Sequence, residues 1–351
     1  MSERTAEATE GTTGIPSGTY AYVGIVALYA ATIVGGLLLT DEMAAMGLVM
    51  FEDPGDVGNV GVFAVMVLVA TAGMVAAFRY GFGEQLVRAF LLGSAGTLTA
   101  AGFVATTGIG SVATENSLLM GLPTSPVSLA VALGTFALLW VYPEWYVNDL
   151  AAVVFGAAAI PMLGLGFGPF PVVVLLVAWA GYDAYAVYVS GHMQELAAGL
   201  GDLKVPIVFV VPHSLSFSMR NPDFDLMGDG DDAAESAGAD ADSDSDDETT
   251  ESPARSEVAI LGLGDALIPG MLAVSAGAFL DAPVLVPALN ANAPAVGALL
   301  GGLVGMGGLL YLVHRVEGAH AGLPPLNAGV LGGYLVGAVA AGIPLTTALG
   351  L

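Results

Sequence analysis

The chain has 351 residues, of which 56% are hydrophobic and only 11% charged, and its formal net charge is -25. Soluble domains carry roughly 25% charged residues, so this composition excludes an ordinary globular protein and indicates a polytopic membrane protein. Seven Lys and Arg against 32 Asp and Glu exclude a nucleic-acid partner, which needs clustered cations, and the absence of cysteine excludes disulfides and thiolate sites.

Nine apolar stretches are long enough, at about 20 residues each, to cross the hydrocarbon core of a bilayer. They predict an all-α polytopic membrane protein with transmembrane helices near 20–40, 57–78, 86–106, 126–142, 149–167, 170–189, 257–280, 293–314 and 325–349. Residues 1–18 are polar and acidic, without the basic segment of a signal peptide, and predict a disordered tail. Helices 1–6 thus occupy 19–189, a long cytoplasmic loop occupies 190–256, and helices 7–9 occupy 257–351.

The basic residues predict the orientation of these helices. If the N-terminus is cytoplasmic, every Lys and Arg lies in a cytoplasmic segment or within a few residues of one. These residues are Arg4, Arg79, Arg88, Lys204, Arg220, Arg255 and Arg315. Because the Lys and Arg bias sets membrane topology, we expect a multi-pass cell-membrane protein with a cytoplasmic N-terminus and an extracellular C-terminus.

The cytoplasmic loop contains two dissimilar parts. Residues 205–211 form a short apolar run with high β propensity. From 221 to 256 the loop is acidic and rich in small residues, so it cannot bury enough apolar surface to fold, and we expect a disordered linker. A large acidic excess with one lysine in the whole chain also indicates a halophilic protein, because high salt screens the repulsion.

Two acidic residues lie well inside predicted helices, Asp183 in the sixth and Asp265 in the seventh. An ionisable side chain in the membrane is costly and marks a functional site by default, although a protonated acid can also link two helices. Both acids lie roughly 10–12 Å from the cytoplasmic surface at 1.5 Å per residue, so antiparallel packing brings them to one level. Two carboxyl groups at one level share one proton, which is the state that an aspartic protease needs.

Glycines stand immediately before the second acid. Gly262 and Gly264 flank Leu263, and the absence of their side chains predicts that another backbone approaches Asp265. Glycine is also common in membrane helices, so the Gly-x-Gly-Asp string is informative only together with Tyr182 and the acid that follows it at matching depth.

These motifs resemble those of the presenilin and signal-peptide-peptidase group of intramembrane aspartyl proteases, and of its archaeal branch in particular. The similarity includes the nine-helix plan and the run after the first acid, at 192–197, 203–206 and 211–212. The resemblance implies an aspartic endopeptidase of the GxGD type that cleaves transmembrane segments or signal-peptide remnants. Its catalytic residues are Asp183 and Asp265, and its site is shaped by Tyr182, Gly262, Leu263 and Gly264. The implied partners are the lipid bilayer and transmembrane helical peptides. We expect no cofactor and no metal, and the sequence does not indicate an obligate partner subunit.

A third family motif, Pro-Ala-Leu-Pro, is matched imperfectly at the start of the ninth helix. Leu323 and Pro324 match, whereas Ala321 stands in place of the first proline. The resemblance implies that Leu323, Pro324 and Pro325 help to bind substrate. The residues alone leave two interpretations open, because adjacent prolines either break a helix and free backbone groups or begin a helix.

The last two expectations concern how the protein holds an unwound substrate and which other function the two acids allow. Cleavage of a helix requires local unwinding, which β-strand addition stabilises. The resemblance implies that the 205–211 run, with Ile207 and Val208, offers a strand edge to substrate together with the start of the seventh helix. The alternative is an ion- or proton-coupled transporter that uses the same two acids, although the 6+3 plan lacks the repeated halves of many transporters.

Two further patterns concern structure rather than chemistry. The four histidines of the chain show no metal-binding spacing. Gly297, Gly301 and Gly305 recur every four residues in the eighth helix and predict close helix packing within the protein.

Overall fold

The computed structural model describes residues 19–114, 121–190, 208–214, 217–220, 258–315 and 321–350. Within these residues nine helices of at least 16 residues form the architecture. In chain order they are α1 (Thr19–Ala45), α2 (Gly58–Arg79), α3 (Gly83–Thr107), α4 (Pro126–Val141), α5 (Trp145–Gly166), α6 (Pro169–Tyr185), α7 (Gly264–Phe279), α8 (Ala293–Arg315) and α9 (Leu323–Ala340). The short helix α10 (Leu345–Ala348) follows. The predicted tail 1–18 and the acidic linker 221–256 lie outside the described residues.

Seven helices of the described part are long and apolar enough to cross a membrane, while α4 and α7 are apolar but only 16 residues long. The protein is therefore a multi-pass membrane protein. The predicted ninth helix, which was expected to reach 349, ends at Ala340. Its continuation is interrupted by Gly342, which has a φ of +76°, and Pro344 then precedes α10.

Two small antiparallel sheets correct the all-α prediction. Strand β1 (Val208–Pro212) pairs with β2 (Val258–Gly262), so that Val208 lies opposite Gly262. A second sheet joins β3 (Val284–Val286) to β4 (Ala291–Asn292), with a 3₁₀ turn at Pro287–Leu289 between them. The first sheet also corrects the predicted seventh helix, because 258–262 are extended and α7 begins only at Gly264.

Helix α5 packs between α1 and α7 in the core. A Cβ added at Gly36 of α1 would lie 2.7 Å from Ile160 of α5, and one added at Gly270 of α7 would lie 2.6 Å from the same side chain. Small residues thus let three backbones approach closely around one isoleucine that is fully buried. This packing fixes α7, which carries Asp265, against the two helices.

The glycine stripe of α8 packs directly against α9. A Cβ added at Gly301 would meet the carbonyl oxygen of Gly329 and would lie 2.9 Å from the Cα of Gly333. The predicted packing role of this stripe is confirmed. Close backbone contact makes the two helices a rigid pair, and the N-terminal end of α9 is part of the candidate site.

Candidate active site

Asp183 lies in the last turn of α6 and is 6% exposed. Its Oδ2 accepts a hydrogen bond of 3.0 Å from the backbone N–H of Leu323, the first residue of α9. The N-terminal end of a helix carries partial positive charge, which stabilises a nearby carboxylate by about 0.3–1 kcal/mol and by more where the site is partly buried. The α9 N-terminus therefore supports a negative charge on Asp183.

Asp265 lies in the first turn of α7, which follows β2 after a single residue. The sequence predicts it about eight residues into a helix, and this position is corrected because Val258–Gly262 form a strand and the helix begins only at Gly264. Its carboxyl group lies within electrostatic range of Asp183. The two acids are thus close together, one at the start of α7 and the other against the start of α9.

The glycines before Asp265 differ in their surroundings. A Cβ added at Gly262 would lie 3.3 Å from Oδ2 of Asp265, whereas one added at Gly264 would meet nothing within 4 Å. Gly262 thus leaves room for the carboxyl group itself, and the approach of another backbone to these two glycines stays a prediction. Leu263 between them is 2% exposed, and its Cδ1 lies 3.2 Å from the Cβ position of Gly156 on α5.

The third motif begins a helix. Pro324 and Pro325 stand in the first turn of α9, where missing N–H groups cost little because those groups have no partner within the helix. The backbone N–H of Ala321 donates to the Tyr188 hydroxyl at 3.4 Å, which adds to the bond from Leu323 to the neighbouring acid. Two hydrogen bonds therefore hold this segment against the end of α6.

The other residues singled out from the sequence lie at different distances from the acids. Tyr182 precedes Asp183 on α6, but its side chain is 64% exposed on the surface of the helix. Val208 is paired with Gly262 in the sheet, three residues before Asp265. Ile207 lies outside the described residues.

Asn148 and Asp149, which the sequence did not single out, hold strand β1 to α5. The Asn148 side-chain amide donates to the carbonyl oxygen of Val208 at 3.1 Å, and the N–H of Val210 donates to Oδ1 of Asp149 at 2.8 Å. Asn148 is 1% exposed and Asp149 is 4% exposed. The sequence placed Asp149 at the boundary of the fifth helix, whereas α5 begins at Trp145. The signal that could have identified this start is the acidic residue before the apolar run, Glu144.

These bonds also determine which edge of the sheet is free. Val208 and Val210 direct their backbone groups toward α5, so Phe209 between them directs its backbone groups toward β2. In an antiparallel pair, two residues that lie opposite each other either both direct their backbone N–H and C=O groups toward the partner strand or both direct them away from it. Ile260 and Gly262 therefore direct their backbone groups away from β1, and no strand of the described part pairs with that edge.

The bundle defines a multi-pass membrane protein of the presenilin fold, because two solved structures of presenilin family intramembrane aspartate proteases share it. The structure in the C222 space group has a TM-score of 0.59 and 27% identity, over 91% of this chain and 99% of that chain. The structure in the P2 space group has a TM-score of 0.58 and 27% identity, over 91% and 98% respectively.

The family follows from the sequence of the whole chain. The model for "Signal-peptide peptidase, presenilin aspartyl protease" matches residues 26–343, so the chain belongs to this family. No curated protein matches the chain. The resemblance inferred from the motifs is confirmed, and the transporter alternative gains no support.

Proposed function

We propose that this protein is an intramembrane aspartic endopeptidase of the GxGD type, with Asp183 and Asp265 as its catalytic residues. The observation that carries the proposal is the hydrogen bond from Leu323 to Asp183, with Asp265 in electrostatic range. This hydrogen bond joins the third motif to the first acid, and the second acid is close to the first. The substrates are transmembrane helical segments of membrane proteins or remnants of signal peptides.

The surroundings of the two acids assign their roles. The pair shares one proton, and the N–H of Leu323 favours the negative charge on Asp183, so Asp265 holds the proton. Asp183 removes a proton from a water molecule, and the resulting hydroxide attacks the scissile carbonyl carbon while Asp265 gives its proton to the carbonyl oxygen. Asp183 then gives its proton to the departing amine as the C–N bond breaks. The proton on the intermediate returns to Asp265, which restores the pair.

Substrate binding follows from the free edge of β2. An unwound peptide needs partners for its backbone groups inside the membrane, and pairing with a strand supplies them. The free edge belongs to Ile260 and Gly262 and ends three residues before Asp265, whereas the corresponding edge of β1 is occupied by α5. The substrate role first assigned to Val208 is therefore one of support, and the added strand pairs with β2. Leu323, Pro324 and Pro325 lie on the α9 side of the same acids.

The catalytic assignment is tested with purified protein and a panel of single-span transmembrane peptides that carry a fluorophore and a quencher. Asp183→Asn and Asp265→Asn should each abolish cleavage, because an amide cannot exchange the proton that the mechanism needs. Asp41→Asn is the matched control, since Asp41 binds the side chain of Asn290 elsewhere in the fold. Cleavage that persists in either catalytic variant contradicts the two-carboxylate mechanism.

The strand edge is tested by Ile260→Pro, which removes one outward N–H while leaving the β1–β2 ladder intact. We expect the variant to lose cleavage and to keep the thermal stability of the parent protein. Ile260→Val is the matched control, because it keeps the N–H and a branched side chain. Equal cleavage by the two variants contradicts strand addition at this edge.

The orientation that we propose places the N-terminus in the cytoplasm and the C-terminus outside. Arg88 stacks on Trp140 at 4.5 Å and Arg220 stacks on Tyr142 at 5.0 Å, so two of the cations lie together with aromatic rings near the α4–α5 turn. Such rings and cations are typical of a membrane interface, and cations favour the cytoplasmic side. With this orientation we expect substrates that present their N-terminus outside. The purified-protein assay uses this chain alone, since the proposal includes no obligate partner subunit.

A further inference from the structure

Tyr29 on α1 has a buried hydroxyl group without a hydrogen-bond partner among the described groups. The residue is 0% exposed and is among the largest fully buried side chains of the protein. Tyr334, the other large buried tyrosine, differs because its hydroxyl donates to the carbonyl oxygen of Ala348 at 2.7 Å. A phenylalanine at position 29 would fill the same space without the cost of an unsatisfied hydroxyl, so packing alone does not account for Tyr29.

The part of α1 that carries Tyr29 runs past the candidate active site. At one end of this part, a Cβ added at Gly24 would lie 2.8 Å from Val211 of β1. At the other end, Thr32 and Leu263 both reach the Cβ position of Gly156 on α5, at 2.5 and 3.2 Å respectively. Tyr29 lies between these two levels, in the part of α1 that runs past the sheet and the residue before α7.

The Tyr29 hydroxyl points into a space that a glycine leaves open. A Cβ added at Gly302 of α8 would meet this hydroxyl and would lie 3.4 Å from Cζ of the Tyr29 ring. Asp265 lies within electrostatic range of the hydroxyl. Asp183 is the other acidic group that faces Asp265 in the described part of the chain. Among the described residues, the Tyr29 hydroxyl is therefore a buried, unpartnered donor within electrostatic range of the Asp265 carboxyl group.

We propose that the Tyr29 hydroxyl donates a hydrogen bond, directly or through one water, to the carbonyl oxygen of the protonated Asp265 carboxyl group when substrate is bound. This inference rests on the proposed function. The bond fixes the rotation of the carboxyl group, so that its O–H is directed at the substrate carbonyl oxygen. Tyr29 is thus a positioning residue that acts through Asp265, and Gly302 provides the space for its hydroxyl.

The test is Tyr29→Phe, which removes one oxygen atom and leaves the ring. We expect kcat to fall about 10-fold with KM unchanged and with a thermal stability equal to or above that of the parent protein, because the hydroxyl has no partner in the resting fold and its removal costs no bond there. Tyr334→Phe is the matched control and should show the reverse, a lower thermal stability with normal kcat, since its hydroxyl is already bonded. An unchanged kcat in Tyr29→Phe overturns the inference, as does a loss that is confined to KM or to stability.

A second variant keeps the inference testable if the first one folds poorly. Gly302→Ala should lower kcat in the parent protein, because the added methyl group displaces the hydroxyl, and should lower it less in the Tyr29→Phe background. Equal losses in both backgrounds overturn the inference. The failure of this inference can be distinguished from failure of the proposed function. Cleavage by Asp265→Asn contradicts the proposed function, whereas an inactive Asp265→Asn together with a fully active Tyr29→Phe refutes only the role of Tyr29.

Discussion

Replacement of Asp149 by alanine removes the acceptor that holds β1 to α5. The N–H of Val210 then has no acceptor, although Val210 is 0% exposed and its donor is now bonded at 2.8 Å. Loss of one partner of a buried hydrogen bond costs roughly 1–3 kcal/mol, so we expect the free energy of unfolding to fall by about 2 kcal/mol. Asp149→Asn keeps an acceptor oxygen at the same position, so its loss should be about 1 kcal/mol or less.

The active site should respond more strongly than the fold to this change. Strand β1 pairs with β2, and β2 leads after one residue into α7 and Asp265, so a displaced β1 moves the free edge and the acid together. Thermal unfolding in detergent measures the stability of each variant, and cleavage of the transmembrane peptides is expressed per folded molecule. We expect Asp149→Ala to lose at least 10-fold in this normalised activity, because misplacement of a reacting group by about 1 Å can cost roughly 100-fold.

Ser275→Ala is the matched control for the loss of a buried hydrogen bond. Its hydroxyl donates to the carbonyl oxygen of Phe167 at 2.7 Å, on α7 but ten residues beyond Asp265. This variant should lose stability and keep its activity per folded molecule. The reasoning is refuted if Asp149→Ala is as stable as Asp149→Asn, or if Ser275→Ala loses as much normalised activity as Asp149→Ala.

Two pairs of glycine variants test other contacts of the structure. Gly262→Ala places a methyl group 3.3 Å from the Asp265 carboxyl group, whereas the new methyl group of Gly264→Ala meets nothing within 4 Å. The first variant should therefore lower cleavage several-fold more than the second. Equal losses in the peptide assay contradict this expectation. Gly301→Ala forces α8 away from the Gly329 backbone and should lower the thermal stability. Gly307→Ala on the same helix meets nothing within 4 Å and should raise the stability by about 0.5–1 kcal/mol. Thermal unfolding separates the two variants, and a Gly301→Ala variant as stable as the parent protein refutes the close packing.

The two acids were identifiable from the sequence because a carboxyl group in an apolar helix is rare and costly. Hydropathy likewise placed a predicted span over each of the nine long helices of the described part. Both signals are local, since each depends on the residues of one segment. The glycine stripe of α8 was predictable for the same reason, because its period shows in a single helix.

The features that the sequence did not predict depend on partners far apart in the chain. Hydropathy cannot distinguish an apolar strand from the start of an apolar helix, so the sequence predicts β2 as part of the seventh helix, whereas its pairing with β1 makes it a strand. The bond from Leu323 to Asp183 joins residues 140 positions apart. Asp149 was assigned to a helix boundary because its strand partner lies 61 residues further on.

The position of the second acid next to a strand has a consequence for specificity. On the proposed mechanism, a peptide that adds to the free edge of β2 is held through its backbone groups, and these are the same in every sequence. Its side chains alternate between the two faces of the sheet, and a slip of one residue exchanges the faces. Because that edge ends at Gly262, three residues before Asp265, the register of the added strand determines which peptide bond reaches the two acids. Specificity then depends on how easily a transmembrane helix unwinds and on which register its side chains permit, rather than on a fixed sequence at the cleaved bond.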